Sequence, residues 1–371
     1  MTLLRYRLPL AIVVISALFF VAYTYPNPKS STSLEKELDA LFADIPDFSG
    51  VVLIANGGKP VYEKAFGYQN FETKTPMTTG SIFELASVSK QFTAMTILML
   101  KQEGKLEYDD RIDKYISNLP YPGITIRHLL NHTSGLPDYQ DVMDKYWDKT
   151  KVADNADNIA YLIKYHPPKL FEPGAKYEYS NTGYMLLASI AERASGQDFI
   201  QFCRSRIFNP VGMTHTDIPT LDQKVKLPTM AWGHLYVPEK KRYVRADSFP
   251  QFNYAIWLGN RKGPGRISST ADDLLKWDRA LYSSQLVNHQ TLAEAFKPAR
   301  LNDGTTSPYG FGWELQQSKL GKVVRHSGDN PGYKTQIIRY VDADKTIILL
   351  CNNAHEKLPT ILKTIETTVV Q

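Results

Sequence analysis

The pattern of apolar and polar positions differs between the two ends of the chain and its middle. Residues 49–70 contain two strand-like runs around Gly57-Gly58, which predicts a β-hairpin. From about residue 105 to 260 the pattern favours short helices and loops rich in Pro and Tyr. The last hundred residues contain four strand-like stretches, and helical spacing returns over residues 357–370.

Strands at both ends of the chain predict how the fold is organised. One economical arrangement is a single antiparallel sheet built from both ends and flanked by helices, with a mostly helical lobe inserted. We therefore predict an α/β (α+β) fold within one domain, residues 34–371. Its sheet lobe would comprise about 34–88 and 265–371, and its helical lobe about 89–264.

The N-terminal segment has the form of an export signal. Arg5 and Arg7 precede an apolar run that extends from Leu8 to about Tyr23. That run is marginal for a membrane-spanning helix, which needs about 20 residues. We expect residues 1–33 to be an export signal or membrane anchor followed by a linker, whether or not the signal is cleaved. The rest would then lie on the periplasmic or extracellular side.

Composition and charge narrow the possible functions. The chain has 371 residues, is 43% hydrophobic and 22% charged, and carries a net charge of +5. Basic residues are interspersed with acidic ones and form no cationic stripe. Nucleic acid is therefore not a predicted partner. Two cysteines, Cys203 and Cys351, exclude a disulfide framework and a thiolate zinc site. No metal or other cofactor is predicted, and the oligomeric state stays open.

Several other residues could be mistaken for metal ligands or catalytic residues. His128 and His132 are four residues apart, but a third ligand is missing and we interpret both as structural. A Ser-x-x-Lys at Ser33 falls in a predicted helix over residues 34–43, where Thr32 and Glu35 would form a capping box.

A second Ser-x-x-Lys begins a predicted helix over residues 87–103, which Gly104 would end. Ser87 and Lys90 would share one face of that helix because they are three residues apart. A serine needs a nearby base to act as a nucleophile, and a lysine whose pKa is lowered in a dry cleft could provide one. Alone, however, a serine in this position would be interpreted as a helix N-cap.

Two further motifs follow in order along the chain. They are Tyr179-Ser180-Asn181 and His326-Ser327-Gly328. With Ser87-Val88-Ser89-Lys90 and their flanks, the sequence resembles the serine β-lactamase and penicillin-binding protein superfamily over roughly residues 35–370. The resemblance is to the branch containing class C β-lactamases, D,D-carboxypeptidases and related esterases.

The resemblance implies a role for each catalytic residue. Ser87 would be the nucleophile that forms an acyl-enzyme, and Lys90 its base or the holder of the proton network. Tyr179 would relay a proton to the leaving group and later activate water. Asn181 would hydrogen-bond Lys90 and a substrate amide. Glu172, in the loop before Tyr179, is interpreted as structural.

The third motif is expected to bind substrate. By resemblance, His326 lies on the strand lining the cleft and Gly328 lets the substrate backbone lie close. The backbone N–H groups of Ser87 and Asp329 would form the oxyanion hole. Class C β-lactamases have lysine in place of His326, and a histidine is largely neutral near pH 7. The motif would therefore bind a substrate carboxylate weakly, as in penicillin-recognising carboxypeptidases and esterases.

These features together predict an exported serine hydrolase that cleaves an ester or amide. Its substrate would be a D-peptide, a small ester or a β-lactam-like molecule. Two alternatives remain: a true β-lactamase, and a penicillin-binding sensor that is acylated without turnover.

The N-terminal pattern makes the first testable prediction. A reporter active only outside the cytoplasm, fused after residue 371, should be active in the full fusion and inactive when residues 1–33 are deleted, because Arg5 and Arg7 tend to stay inside. N-terminal sequencing of the exported fusion then locates any cleavage. Equal activity of a cytoplasmic reporter in both fusions would contradict the export prediction.

Overall fold

Six antiparallel strands from both ends of the chain form the central sheet of the computed structural model, which describes residues 33–370. Their spatial order is β3-β4-β5-β6-β1-β2. The strands are β1 (Gly50–Asn56), β2 (Lys59–Phe66), β3 (Glu314–Ser318), β4 (Gly321–Asn330), β5 (Tyr333–Tyr340) and β6 (Lys345–Cys351). The predicted export segment and Thr32 of the predicted capping box lie outside the described residues.

The hairpin of β1 and β2 forms where the Gly-Gly pair predicts it. Gly57 and Gly58 have φ values of +56° and +72°, which a two-residue hairpin turn of the favoured hand requires. β1 also pairs with β6, with Gly50 opposite Cys351. Strand β1 is therefore buried inside the sheet, and it joins the N-terminal hairpin to the C-terminal strands.

Thirteen α-helices are found within residues 33–370. They are α1 (Ser33–Ala43), α2 (Lys90–Gln102), α3 (Ile126–Leu130), α4 (Tyr139–Tyr146), α5 (Asn155–Tyr165), α6 (Asn181–Ser195), α7 (Phe199–Cys203), α8 (Asn209–Val211), α9 (Leu221–Lys224), α10 (Tyr254–Trp257), α11 (Ala271–Ala280), α12 (His289–Ala295) and α13 (Leu358–Val370). A π-helical segment, Arg204–Phe208, joins α7 to α8. Within the described range no helix has the length and apolar character needed to cross a membrane.

Each face of the sheet is covered by a separate apolar layer. Helices α1 and α13 pack on one face, where Phe42 and Ile361 join alternate side chains of β1, β5 and β6 in one cluster. On the other face, Leu274 and Trp277 of α11 belong to a larger cluster that continues into α2 and α6. Burial of both faces is why β1 and β6 contain nearly continuous apolar runs.

The predicted strands of the last hundred residues and the helices at α1, α2 and α13 are confirmed, and so is the antiparallel sheet from both chain ends. The middle of the chain differs in one respect: His234–Val237 and Arg242–Arg245 pair as a hairpin. Each of these strands is only four residues long, which is too short for an alternating pattern to stand out. The boundaries of the two lobes stay a prediction.

Strand β4 extends beyond its neighbour and touches the segment before α2. β3 pairs only with Gly321–Arg325, so in the described chain no strand covers the outer edge of residues 326–330. A Cβ atom added at Gly328 would lie 2.2 Å from the backbone oxygen of Leu85 and 2.2 Å from Oγ1 of Thr335. Glycine is therefore what allows this strand to lie against residues 85–86.

The contact predicts that Gly328→Ala destabilises the fold by about 1–3 kcal/mol, as overpacking of a tight site does. The matched control is Gly80→Ala, because the nearest atom to a Cβ there is 3.9 Å away and φ is not positive. Urea unfolding of both variants should find the control within about 0.5 kcal/mol of the parent chain. Equal stability of the two variants would contradict the packing role of Gly328.

Candidate active site

Ser87 lies in a turn of 3-10 helix, Ala86–Ser89, that leads directly into α2. Ala86 has a φ of +49°, a left-handed conformation that costs a non-glycine residue roughly 1–2 kcal/mol. The hydroxyl of Thr335 donates to the oxygen of Leu85 at 2.7 Å and helps to hold the turn. The Ser87 side chain does not cap α2, because the N-cap position is Ser89. Its hydroxyl borders an open cleft instead.

The amine of Lys90 is the centre of the site. Its Nζ lies 3.1 Å from Oγ of Ser87, 2.9 Å from Oδ1 of Asn181 and 2.9 Å from the backbone oxygen of Pro264. The whole residue is buried, with 0% of its surface exposed. The helical spacing of Ser87 and Lys90 places the two groups together, as the sequence predicts.

This environment favours the neutral form of the lysine. Burial, and secondly the positive charge of Arg261, hold the pKa of Lys90 well below its usual value. The oxygens of Asn181 and Pro264 can only accept, so the two N–H bonds of a neutral amine are directed at them. The lone pair of the amine is then left for the hydroxyl proton of Ser87.

Tyr179 and Asn181 are brought to the cleft by the start of α6. Ser180 is the N-cap of this helix, and its backbone N–H donates to Nδ1 of His132 at 3.0 Å. The ring of Tyr179 packs against that of His132, with centroids 4.3 Å apart and the planes tilted by 36°, and its centroid lies 4.7 Å from Nζ of Lys90. His132 thus determines where the second motif sits.

The phenol of Tyr179 stays protonated at neutral pH. Although 40% of the residue is exposed, burial around the phenol raises its pKa, against the opposing effect of a hydrogen bond with Ser87. The group can therefore act as a proton donor beside Ser87.

His326 lies beside the site, but both of its ring nitrogens are used inside the protein. Nδ1 is 2.7 Å from the backbone oxygen of Ser327, to which it donates, and Nε2 accepts from the hydroxyl of Tyr309 at 2.8 Å. The residue is 2% exposed, and burial lowers its pKa to about 3. This geometry does not agree with the expectation that His326 offers a weak carboxylate site: the ring has no free donor.

The other two predicted binding residues have different surroundings. Gly328 was expected to let the substrate backbone lie close. In the structure it is the protein backbone of residues 85–86 that lies against it. Asp329 borders the same cleft as Ser87, while its carboxylate pairs with Lys334 on the neighbouring strand. Ser87 and Asp329 therefore border one cleft, and an oxyanion hole formed by their N–H groups stays a prediction.

Residues that were interpreted as structural lie away from the cleft or support it. Ser33 donates to Oε1 of Glu37 on the surface of α1, and the carboxylate of Glu172, 76% exposed, pairs with Lys169. His128 closes a capping box with Thr125. Within residues 33–370 no group of three His, Cys, Asp or Glu side chains is arranged to hold a metal ion.

Three contributions to the site were not predicted. The oxygen of Pro264 comes from the Gly-Pro-Gly segment 263–265, which lacks the pattern of a phosphate loop and carries no other local signal. Tyr309 orients His326, and Arg261 adds a nearly buried guanidinium to the cleft wall. Only contacts between distant parts of the chain reveal these roles.

Comparison with known proteins agrees with this arrangement. Residues 38–365 match the protein family described as Beta-lactamase. A penicillin-binding protein of Bacillus subtilis (strain 168) is 42% identical over 326 residues, which cover 86% of this chain and 72% of that protein. A D-aminopeptidase of Gluconobacter oxydans (strain 621H) is 26% identical over 332 residues, which cover 87% of this chain and 59% of the relative.

A solved structure of a related protein has the same fold. The crystal structure of a penicillin-binding protein from Bacillus halodurans superimposes with a TM-score of 0.76 at 25% identity, covering 89% of this chain and 98% of that one. The family match spans most of the chain and includes all three motifs. The chain therefore belongs to the beta-lactamase family of serine hydrolases.

Proposed function

We propose that this protein hydrolyses an amide or ester of a D-amino acid or D-peptide through an acyl-enzyme on Ser87. The observation that carries the proposal is the position of the Lys90 amine. Two carbonyl-type acceptors take its N–H bonds, and Oγ of Ser87 is 3.1 Å away, within reach for proton transfer.

The first half of the reaction follows from these contacts. Oγ of Ser87 bonds to the substrate carbonyl carbon while its proton passes to the Lys90 amine. The carbonyl oxygen becomes an oxyanion, which the N–H groups of Ser87 and Asp329 would stabilise. As the tetrahedral intermediate collapses, the leaving nitrogen or oxygen takes a proton from the hydroxyl of Tyr179, and Lys90 restores that proton.

The second half returns the enzyme to its starting state. Water attacks the acyl carbon and gives up a proton to the Lys90–Tyr179 pair, and Oγ of Ser87 leaves with a proton. Asn181 keeps its Oδ1 on Lys90 and has its amide nitrogen to offer to a substrate carbonyl. Glu172 has no role in this scheme, because its carboxylate is exposed and pairs with Lys169.

The choice of substrate rests on two arguments. The D-aminopeptidase relative favours D-amino acid amides, although the chain spans only 59% of that protein. The third motif supplies no cation, because His326 is buried and neutral. A β-lactam carboxylate would lack the lysine partner found in class C β-lactamases, so slow turnover of penicillins is expected. The penicillin-binding relative makes acylation without turnover the second candidate.

We also propose that the protein is exported and that residues 34–371 act on the far side of the membrane, either released or anchored by the N-terminal segment. The pattern of residues 1–33 supports this location.

A substrate panel tests the proposed reaction. D-alanine nitroanilide and D-phenylalaninamide should be hydrolysed at least about tenfold faster than their L enantiomers, and Ser87→Ala should abolish turnover and labelling by a fluorophosphonate. Benzylpenicillin should give a lasting penicilloyl adduct by intact-protein mass spectrometry, because the ring-opened acyl group stays tethered near Ser87.

The control is Ser33→Ala, which removes the other Ser-x-x-Lys serine and should leave labelling intact. Labelling that survives Ser87→Ala in a folded protein would refute the nucleophile. Rapid cephalosporin turnover with no adduct would instead favour a true β-lactamase. An adduct with no turnover of any D-amide would favour the sensor.

The low pKa of Lys90 predicts an unusual pH profile. A base must be deprotonated to act, so activity is lost as pH falls through its pKa in the folded enzyme. An ordinary lysine, with a pKa of about 10.4, would give about a 100-fold rise in kcat/KM between pH 7.5 and 9.5. We expect a nearly flat profile in this range, because burial keeps Lys90 neutral.

Extending the profile down to pH 5.5 tests His326, whose pKa of about 3 predicts no inflection near pH 6.5. Lys90→Ala should lower the acylation rate by about 10²–10⁴-fold, as loss of a positioned base does. A tenfold rise per pH unit up to pH 9.5 would contradict a neutral Lys90.

A further inference from the structure

Arg261 is a cation in the wall of the Ser87 cleft, and its side chain forms no hydrogen bond or ion pair in the described part of the chain. The residue is 9% exposed, and its Nη1 is buried without a hydrogen-bond partner. Its Cζ lies 5.9 Å from the ring centroid of Tyr254, which borders the same cleft. A buried charge that is left unpaired is costly, so a role in the site is a more natural explanation than fold stability.

The acidic groups that could neutralise Arg261 are engaged elsewhere. Glu84 pairs with Lys224 and also accepts from Asn330. Asp138 caps α4 by accepting from the N–H of Gln140 at 2.8 Å. Asp329 pairs with Lys334. Arg261 is the one cation among the residues that line this cleft. Glu84 and Asp329 are paired with lysines and Asp138 is held by a backbone N–H, so none of these three carboxylates forms a salt bridge with the guanidinium.

The position of Arg261 relates it to one half of the substrate. Ser87 and Asn181 border the cleft that contains Arg261, whereas Tyr179, whose phenol contacts Ser87, borders a cavity with Asp138 and Ser180 that does not include Arg261. If Tyr179 protonates the leaving group, as proposed above, the leaving half lies toward Tyr179. The acyl half then extends past Asn181 toward Arg261.

We propose that Arg261 binds a carboxylate on the acyl half of the substrate, so that the enzyme prefers anionic acyl groups. This inference rests on the proposed function for the direction of the substrate. The planar guanidinium presents paired N–H donors that match a carboxylate in a bidentate hydrogen bond. The third motif has no cation, so Arg261 supplies one from another part of the cleft. There it would bind the acyl half of the substrate.

Binding of two matched ligands tests the proposal without requiring turnover. N-acetyl-D-isoglutamine carries a side-chain carboxylate, and N-acetyl-D-glutaminamide carries a carboxamide of the same shape. Calorimetry with the Ser87→Ala protein should give about 10–100-fold tighter binding of the carboxylate, the range expected for a charge-assisted hydrogen bond in place of a neutral one. Arg261→Gln in the same background should reduce that ratio to about one, and Arg261→Lys should keep part of it.

The matched control is Lys262→Gln, which removes the same charge at the next residue. The amine of Lys262 pairs with Glu192 and Asp198 outside the cleft, so the ratio should not change. Arg261→Gln should also melt at the same temperature as the parent or higher, since it removes an unpaired buried charge.

Several results would overturn the proposal. They are an equal affinity of the two ligands, no detectable binding of either, and an equal loss for both in Arg261→Gln, which would indicate that Arg261 acts only through Lys90. The reaction is tested separately by labelling of Ser87 and by turnover of the D-amides. A preference for the carboxylate in a protein whose Ser87 is not labelled by the fluorophosphonate would leave the Arg261 site supported and the proposed reaction refuted.

Discussion

The burial of the Lys90 amine is the constraint on which the active site depends. A primary amine removed from water is held in its neutral form and still needs partners for its N–H bonds. Those partners come from the start of α6 and from the segment before α11, through Asn181 and Pro264. The site is therefore complete only when these two distant parts of the chain are packed against the start of α2.

The same packing links the sheet to the nucleophile. Gly328 brings the free end of β4 against the turn before Ser87, and the hydroxyl of Thr335 on β5 holds the oxygen of Leu85. The strained φ of Ala86 persists because these contacts surround it. Stability of the sheet and geometry of the nucleophile are thus parts of one arrangement, and a change at this junction affects both.

Charge is distributed through the cleft in a way that the motifs alone do not indicate. His326 is neutral and serves the strand and Tyr309, so the third motif contributes shape and backbone. The cation of the cleft is Arg261, and its charge also helps to keep Lys90 neutral. The charge of Arg261 therefore has two effects in the same site. It favours the neutral form of Lys90, and it makes the electrostatic potential of the cleft more positive where the substrate would bind.

The spacing of residues along the sequence was enough to predict several local elements of this protein. The Gly57-Gly58 turn, the apolar runs of the strands and the three-residue step from Ser87 to Lys90 act over one hairpin, one strand or one helical turn, so each can be read from the sequence. The order of the three motifs along the chain also indicated the protein family.

Tertiary structure alone decided which atoms fill the site. Lys90 meets Pro264, 174 residues away, and no periodic pattern encodes a contact of that range. In the same way, only packing shows that both nitrogens of His326 are occupied and that Nη1 of Arg261 is buried without a hydrogen-bond partner, because burial and hydrogen bonding depend on neighbours from distant parts of the chain.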